Sequence, residues 1–357
     1  MLLRRPIRRL IIAVIIVAVY VVLAPQPTRW ELSVSAMWAL DPSAVEPESF
    51  SVTRIPFLLD SVFGYVSPQG QLLYRGVKSF SVAISDSAFS NYSRAPEVVI
   101  VQAPDGSLLS SLPVAGYPVI IGGRIYTVDR DATRIAEWST DGGLLWAMDL
   151  ATPAVSIDAD RILTVIGMVS GGLLVVGADG TPLPTDEEAL IHGAVLSVAI
   201  SPVTGEIAAI SGGVLQSLAV LGVTDARVTL VAGRPIELLQ DRPLLDYTDR
   251  GVLFYQSADD IVVLDLAEGV EHLVTVSRTA DQLVPVCRDI SAVLFSGGEP
   301  DPTHSFVPTA ELNLVADDGF VPVFQTFAGE RVGLSAGDGV LVIAIDDRVL
   351  GFTLDTL

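Results

Sequence analysis

The sequence predicts an all-β fold, a β-propeller of four-stranded blades, preceded by an N-terminal transmembrane helix. Three observations predict it. Strand-length Val, Ile and Leu runs recur down the chain, a composition that suits many short strands better than long helices. Tight Asp-Gly or Gly-Gly turns separate those runs. The turns recur at a near-constant interval, with Asp105, Asp141 and Asp179 lying 36 and 38 residues apart, within the span of one propeller blade.

Taken in order, "EVVIVQAPDGSLLSSL" turns at Asp105-Gly106 and "STDGGLLWAMDL" at Asp141-Gly142. "GGLLVVGADGTPLP" turns at Asp179-Gly180 and "AELNLVADDGFVPVF" at Asp318-Gly319. Asp-Gly between alternating apolar runs signals a hairpin, because both central residues tolerate positive φ. A second hairpin precedes each of these, turning at Gly122-Gly123, near Ala159, near Arg250 and near Asp338. One period therefore holds four short strands. Repeating them radially buries each unit against its neighbours and leaves only short edges. Six units are complete: 79–113, 114–150, 151–184, 194–231, 236–276 and 283–326. Residues 331–354 supply three strands more, and an N-terminal strand paired with them closes the ring. That arrangement predicts seven blades, or eight if residues 51–76 form most of a blade.

The N-terminus is a different material. Residues 10–24 carry no charge, and Pro25 and Pro27 end the run. Begun near Arg5, such a helix approaches the ~30 Å hydrocarbon core, with Arg8 and Arg9 snorkelling to the headgroups. Arg4, Arg5, Arg8 and Arg9 precede it and no basic residue follows until Arg29. Positive-inside reasoning then places the N-terminus in the cytoplasm and the rest in the periplasm or outside, held at the inner or cytoplasmic membrane. A cleaved signal peptide is the alternative, but "VVLAPQP" lacks a small-x-small cleavage site. The expected layout is a cytoplasmic stub and anchor over 1–27, a linker with possible first strands over 28–56, and the propeller over 57–357.

Beyond the four leading arginines, 17 basic residues face all 42 acids. Nucleic acid and anionic lipid both require a basic face, so neither is an expected partner, whereas a protein with a basic surface is. The lone cysteine, Cys287 in "QLVPVCRDI", forms no intramolecular disulfide and reads as a strand residue.

Residues 125–167, "IYTVDRDATRIAEWSTDGGLLWAMDLATPAVSIDADRILTVIG", resemble the repeat of the quinoprotein-like (PQQ-like) β-propellers. Gly142 and Trp146 stand where that repeat places a glycine and an interblade tryptophan. "SVAISPVTGEIAAIS", residues 197–211, is similar to WD40-type repeats. The resemblance implies a propeller of the non-enzymatic type, whose rims hold partner peptides. The quinone enzymes of that group are longer, and carry a Ca²⁺ site and an adjacent-cysteine disulfide. This chain has one cysteine, and it has no H-x-x-x-H, C-x-x-C, G-x-S-x-G or Walker motif. Neither an enzyme nor a bound cofactor is expected, with Ca²⁺ as the alternative.

If strands run from the inside of each blade outward, all second-to-third connections open on one face. There the sequence puts Asp129 and Asp131, Asp259 and Asp260, Glu299 and Asp301, and Asp346 and Asp347. The segment "PTDEEALIHG" adds Asp186, Glu187 and Glu188. Carboxylates gathered there would bind a basic partner loop or a divalent cation. Turns also favour Asp for local hydrogen bonding alone. The loop over 296–311 adds His304 and Phe306, the latter a candidate protein anchor. A similar loop over 85–97 carries Phe89, Tyr92 and Arg94; its aromatics either anchor a partner or turn inward as strand.

Overall fold

The computed structural model describes residues 32–47, 53–186, 193–213, 215–237, 243–258, 260–276, 279–287, 289–298, 309–319, 323–328 and 332–356. The expected anchor therefore lies outside the described residues, and no described helix is long and apolar enough to cross a membrane.

Eight sheets form eight blades. Blade 1 holds β2 (Ile55–Leu58), β3 (Val62–Val66) and β4 (Leu72–Val77). Blade 2 holds β5 (Ser81–Ile84), β6 (Phe89–Tyr92), β7 (Val99–Gln102) and β8 (Leu108–Leu112). Blade 3 holds β9 (Tyr117–Ile121), β10 (Arg124–Val128), β11 (Arg134–Trp138) and β12 (Leu144–Asp149). Blade 4 holds β13 (Ala154–Ala159), β14 (Leu163–Met168) and β15 (Leu173–Gly177). Blade 5 holds β16 (Val195–Ile200), β17 (Ile207–Gly212), β18 (Gln216–Thr224) and β19 (Arg227–Ile236). Blade 6 holds β20 (Leu245–Tyr247), β21 (Leu253–Ser257), β22 (Asp260–Asp265) and β23 (Val270–Thr275). Blade 7 holds β24 (Gln282–Cys287), β25 (Ile290–Gly298), β26 (Thr309–Ala316) and β27 (Val323–Ala328). Blade 8 joins β28 (Val332–Gly337), β29 (Val340–Ile345) and β30 (Arg348–Thr356) to β1 (Leu32–Leu40) on the outside of the sheet. The N-terminal strand thus completes the last blade as expected, and the count is eight, the alternative that follows when residues 51–76 form most of a blade, in place of seven.

The extra blade comes from the β2–β4 segment, which is built differently. Neighbouring innermost strands run the same way: Ser156 and Asp158 of β13 bond Val195 and Ile200 of β16 in that order. Strand β2 runs against β28 instead, because Leu58 lies by Gly333 and Ile55 by Gly337. Strand β2 therefore holds the second place in blade 1, and no described strand takes the innermost place. The third-to-fourth turns agree. Gly70, between β3 and β4, packs on Trp38 of β1 as Gly180 packs on Trp146 and Gly319 on His272.

The Asp-Gly turns form by a different route from the one expected. Only the glycine takes positive φ, at 84° for Gly106, 88° for Gly142, 82° for Gly180 and 78° for Gly319. Ala103 N donates to Ser107 O while Gly106 N donates to Ala103 O, giving a three-residue loop that ends on a left-handed glycine. The aspartate holds the loop through its carboxylate, as where Ser107 N and Thr181 N donate to Asp105 and Asp179 at 2.9 Å. A side chain on Gly180 would strike Trp146 Cβ at 2.5 Å, so close blade packing also requires glycine there.

The core lies between blades rather than inside one sheet. Trp146 packs with Tyr126, Ile135, Ile166 and Val176 across the boundary of blades 3 and 4. Of the 85–97 aromatics, Phe89 is fully buried in β6 and stacks edge-on against Phe63 of blade 1 at 5.1 Å, while Tyr92 ends β6 half-buried against Tyr117 at 6.0 Å. Cys287 ends β24 half-buried, and burial pushes its thiol pKa up.

Candidate functional site

Antiparallel strand order puts every second-to-third connection on one face of the ring. Among the described residues, that face carries Asp129 and Asp131 of blade 3, Asp260 of blade 6, and Asp346 and Asp347 of blade 8. Asp259, Glu299, Asp301, His304 and Phe306 lie outside the described residues.

The five described acids do different work. Asp129 faces its own turn, where Oδ1 accepts from Thr133 N at 2.7 Å and Arg134 N at 2.9 Å, and Oδ2 from Thr133 Oγ1 at 3.1 Å. It holds the loop, as Asp often does in turns. Asp131, two residues on, is exposed. Asp260 opens β22 opposite Ser257 and Thr275. Asp346 and Asp347 form a two-residue hairpin in which Asp346 takes φ 49°; Asp347 is exposed and lies 3.9 Å from Arg348 Nε. Asp186, expected on this rim, lies elsewhere: it pairs at 2.6 Å with Arg227, which opens β19 at the third-to-fourth turn and so at the opposite end of the blade, while Glu187 and Glu188 lie outside the described residues.

Asp346 also borders a cavity of about 400 Å³ between blades 8 and 1, with Pro56, Leu58, Asp60, Lys78 and Leu334. This hollow lies along β2 at the channel, beside the place that an innermost strand fills in other blades. Lys78, the only lysine in the sequence, stands at its wall. A second cavity of about 430 Å³ shares Gln282 and Leu334 with the first and reaches Asp246 and Ser197.

The channel holds two acids that the pattern of turns did not point to. Asp158 Oδ2 accepts from Ile200 N across the boundary of blades 4 and 5, and Oδ1 accepts from Ala159 N, both at 2.8 Å. Asp246 accepts from Tyr247 N at 2.8 Å. Burial pushes the Asp158 carboxyl up to about 6 and the Asp246 carboxyl to about 7; the backbone donors oppose the rise and the neighbouring acids add to it. The sequence signal was an acid set inside an apolar innermost strand, "AVSIDA" and "LLDY". Other polar groups line the inner edge: Gln282 Oε1 accepts from Leu334 N at 2.8 Å, and Ser335 Oγ donates to Pro56 O. These bonds satisfy edge backbone groups that no further strand pairs with.

No group of three or more His, Cys, Asp or Glu among the described residues is placed to hold a metal.

A family described as beta-propeller protein is matched by residues 1–290 of the chain. An uncharacterized protein of Treponema pallidum (strain Nichols) is 22% identical over 246 residues, which are 67% of this chain and 61% of that protein's length. Among solved structures, BamB from Moraxella catarrhalis superposes with TM-score 0.59 at 14% identity, covering 90% of this chain and all of that one. The designed protein Ika8 gives 0.60 at 15% identity, over 85% of this chain and 96% of its own. Apo AztD from Citrobacter koseri gives 0.55 at 14% identity, over 82% and 88%. At such identities the likeness is one of fold.

Proposed function

Because the chain belongs to the β-propeller protein family, we propose that it is a membrane-anchored, extracytoplasmic scaffold that binds a protein partner and catalyses nothing itself. The layout would be a stub and anchor over 1–27, a linker that includes first strands over 28–56 and the propeller over 57–357. The likeness to BamB supports the scaffold reading, and assembly of a cell-envelope complex is the role we assign to it.

One observation carries the reading. A ring of eight blades brings acids distant in sequence, Asp131, Asp260 and Asp347 among them, to one face. The chain as a whole carries a net charge of −21, so the partner surface that fits is basic, and nucleic acid is not a partner. A membrane anchor would hold the face at high effective concentration near a membrane-bound partner.

The test is crosslinking of the full chain in membranes, with and without charge reversal at Asp131 and Asp347. Partner capture that falls on reversal supports the acidic face, and unchanged capture removes it from the site. The rival is a sensor or enzyme that binds a ligand or Ca²⁺ in the channel. A rise in melting temperature of about 5 °C or more with Ca²⁺ over EDTA would favour that rival.

A further inference from the structure

The edges of this propeller are unevenly protected. Along the channel, Pro118 of β9 and Pro285 of β24 remove backbone donors from innermost strands, and Pro56 removes one from β2, the inner edge of the described sheet in blade 1. Most outer strands are guarded too. Arg75 of β4 bonds the carbonyls of Pro42 and Ser43 at 2.7 and 3.1 Å, drawing a loop against it. Pro182 lies along β15. Residues Pro184–Asp186 pair with β19, where Val228 N donates to Pro184 O at 2.9 Å and Asp186 N to Val228 O at 3.0 Å. Strand β23 carries Glu271 and His272, and β12 carries Asp149 paired with Arg134.

Strand β8, "LLSSL", has none of these devices. It ends its sheet, holds no charge or proline, and no described segment pairs with its far side. Leu108 is 64% exposed and Leu109 36%. The next blade extends this patch. Its Asp141-Gly142 turn sits against β8, since a side chain on Gly142 would meet Ser110 and Leu112. Leu144 and Leu145, which follow that turn, are 54% and 55% exposed. Strand β1 is also uncharged, but besides Met37 its exposed residues are alanines and a serine.

We infer that the outer edge of β8, with the leucines of β12 beside it, is a docking surface for an extended apolar segment of a partner flanked by Lys or Arg. An open, uncharged edge supplies backbone donors and acceptors for strand addition. The four leucines give the added strand apolar contact. Asp105 and Asp141 frame the patch, and hydrogen bonds from Ser107 and Ser139 hold their carboxyls below the usual range, so both stay charged. Basic flanks complement them. A second copy of this chain would bring its own Asp105 and Asp141 to the same edge and meet like charge. The inference rests on the protein-binding reading and moves its contact from the acidic face to the outer wall.

The probe is the fluorescein-labelled heptapeptide KVTVTVK, measured by anisotropy against the full chain in detergent. KVTPTVK, which interrupts pairing, and EVTVTVE, which reverses the flanks, are its controls. Binding at least tenfold tighter than either control is expected. Leu108→Lys with Leu144→Lys should abolish that margin while Leu215→Lys, at an 88% exposed position elsewhere, leaves it intact. Ser111→Lys, on the same exposed edge, should weaken binding at least threefold and keeps the test open if the double variant misfolds. Equal affinity for all three peptides overturns the inference. So does sedimentation showing that the wild type dimerises through Leu108. If binding survives the β8 variants but falls when Asp131 and Asp347 are reversed, the β8 inference fails and the acidic-face reading stands. If β8 behaves as expected while membrane crosslinking captures no partner, the scaffold reading fails instead.

Discussion

The boundary between blades 3 and 4 and that between blades 6 and 7 hold the ring together by different means. The first adds a buried polar network to its apolar contacts. Arg124 Nε and Nη2 grip both oxygens of the buried Glu137 at 2.8 and 2.5 Å, and Trp146 Nε1 donates to Glu137 Oε2 at 2.6 Å. Arg124 Nη1 crosses to the carbonyls of Asp160 and Leu163 at 3.2 and 3.0 Å, and Tyr126 Oη meets Thr164 Oγ1 at 2.8 Å. The second boundary is hydrocarbon at its centre, Phe254, Ile261 and Val263 of blade 6 against Val293, Phe295 and Val315 of blade 7, and its ion pair, Arg250 with Asp289 at 2.5 Å, is solvent-exposed. An apolar seam draws its stability from area removed from water and loses it in proportion to the atoms removed. A polar seam depends on completeness, because a buried charge stripped of its partner is worse than no charge.

This contrast can be broken experimentally, starting with the largest effect. Phe254→Ala, at a fully buried ring, should cost about 3–5 kcal/mol in chemical denaturation. A loss under about 1 kcal/mol would mean that the hydrocarbon seam tolerates voids. Glu137→Ala should cost about 3–4 kcal/mol although it removes few carbon atoms, because Arg124 stays buried without its counter-ion. Gly180→Ala, at φ 82° and against Trp146, should cost about 2–3 kcal/mol, whereas Gly123→Ala, at φ 74° with no atom nearby, should cost about 1 kcal/mol. Equal losses would remove blade packing as the cause. Replacing both ions, Arg124→Met with Glu137→Met, should change stability by only about 1 kcal/mol in either direction. A loss matching that of Glu137→Ala would show that the pair itself, rather than an orphaned charge, sets the seam's strength.

The smallest effect concerns pH. Asp158 and Asp246 have folded pKa values of about 6 and about 7, raised from 3.8. The native state therefore holds protons that the unfolded chain releases above pH about 4. Their contribution is fully present below that pH and is lost as pH rises through about 6 to 7. Asp158→Asn with Asp246→Asn should flatten the melting profile across that window. An unchanged slope would assign it to other groups, Asp317 among them, which burial also raises to about 6.

Much of the fold was legible because it is written locally. Apolar runs, Asp-Gly turns and their interval mark strands and blades without reference to distant residues, and Trp146 marked an interblade seat. The blade count was not local. Blade 1 has three described strands and a reversed β2, so it breaks the period by which blades are counted. The 85–97 stretch shows the same limit: Phe89 and Tyr92 among serines read equally as an exposed loop or a strand, and only the neighbouring Phe63 chooses. Of the described acids, the sequence placed five on one face through strand parity, but it did not separate Asp129, spent on its own turn, from Asp131 two positions on. Asp158 and Asp246 escaped notice because a carboxylate in a strand declares itself only when the adjoining blade removes its water.

The sequence by itself determined the short strands, their tight turns and the acidity of the whole, since each depends on neighbours in the chain or on composition. Tertiary structure alone decided how many blades close the ring, that the outer edge at β8 stays bare, and which carboxylates lose their water. Those outcomes depend on what a distant blade places a few ångströms away, and no local pattern encodes that distance.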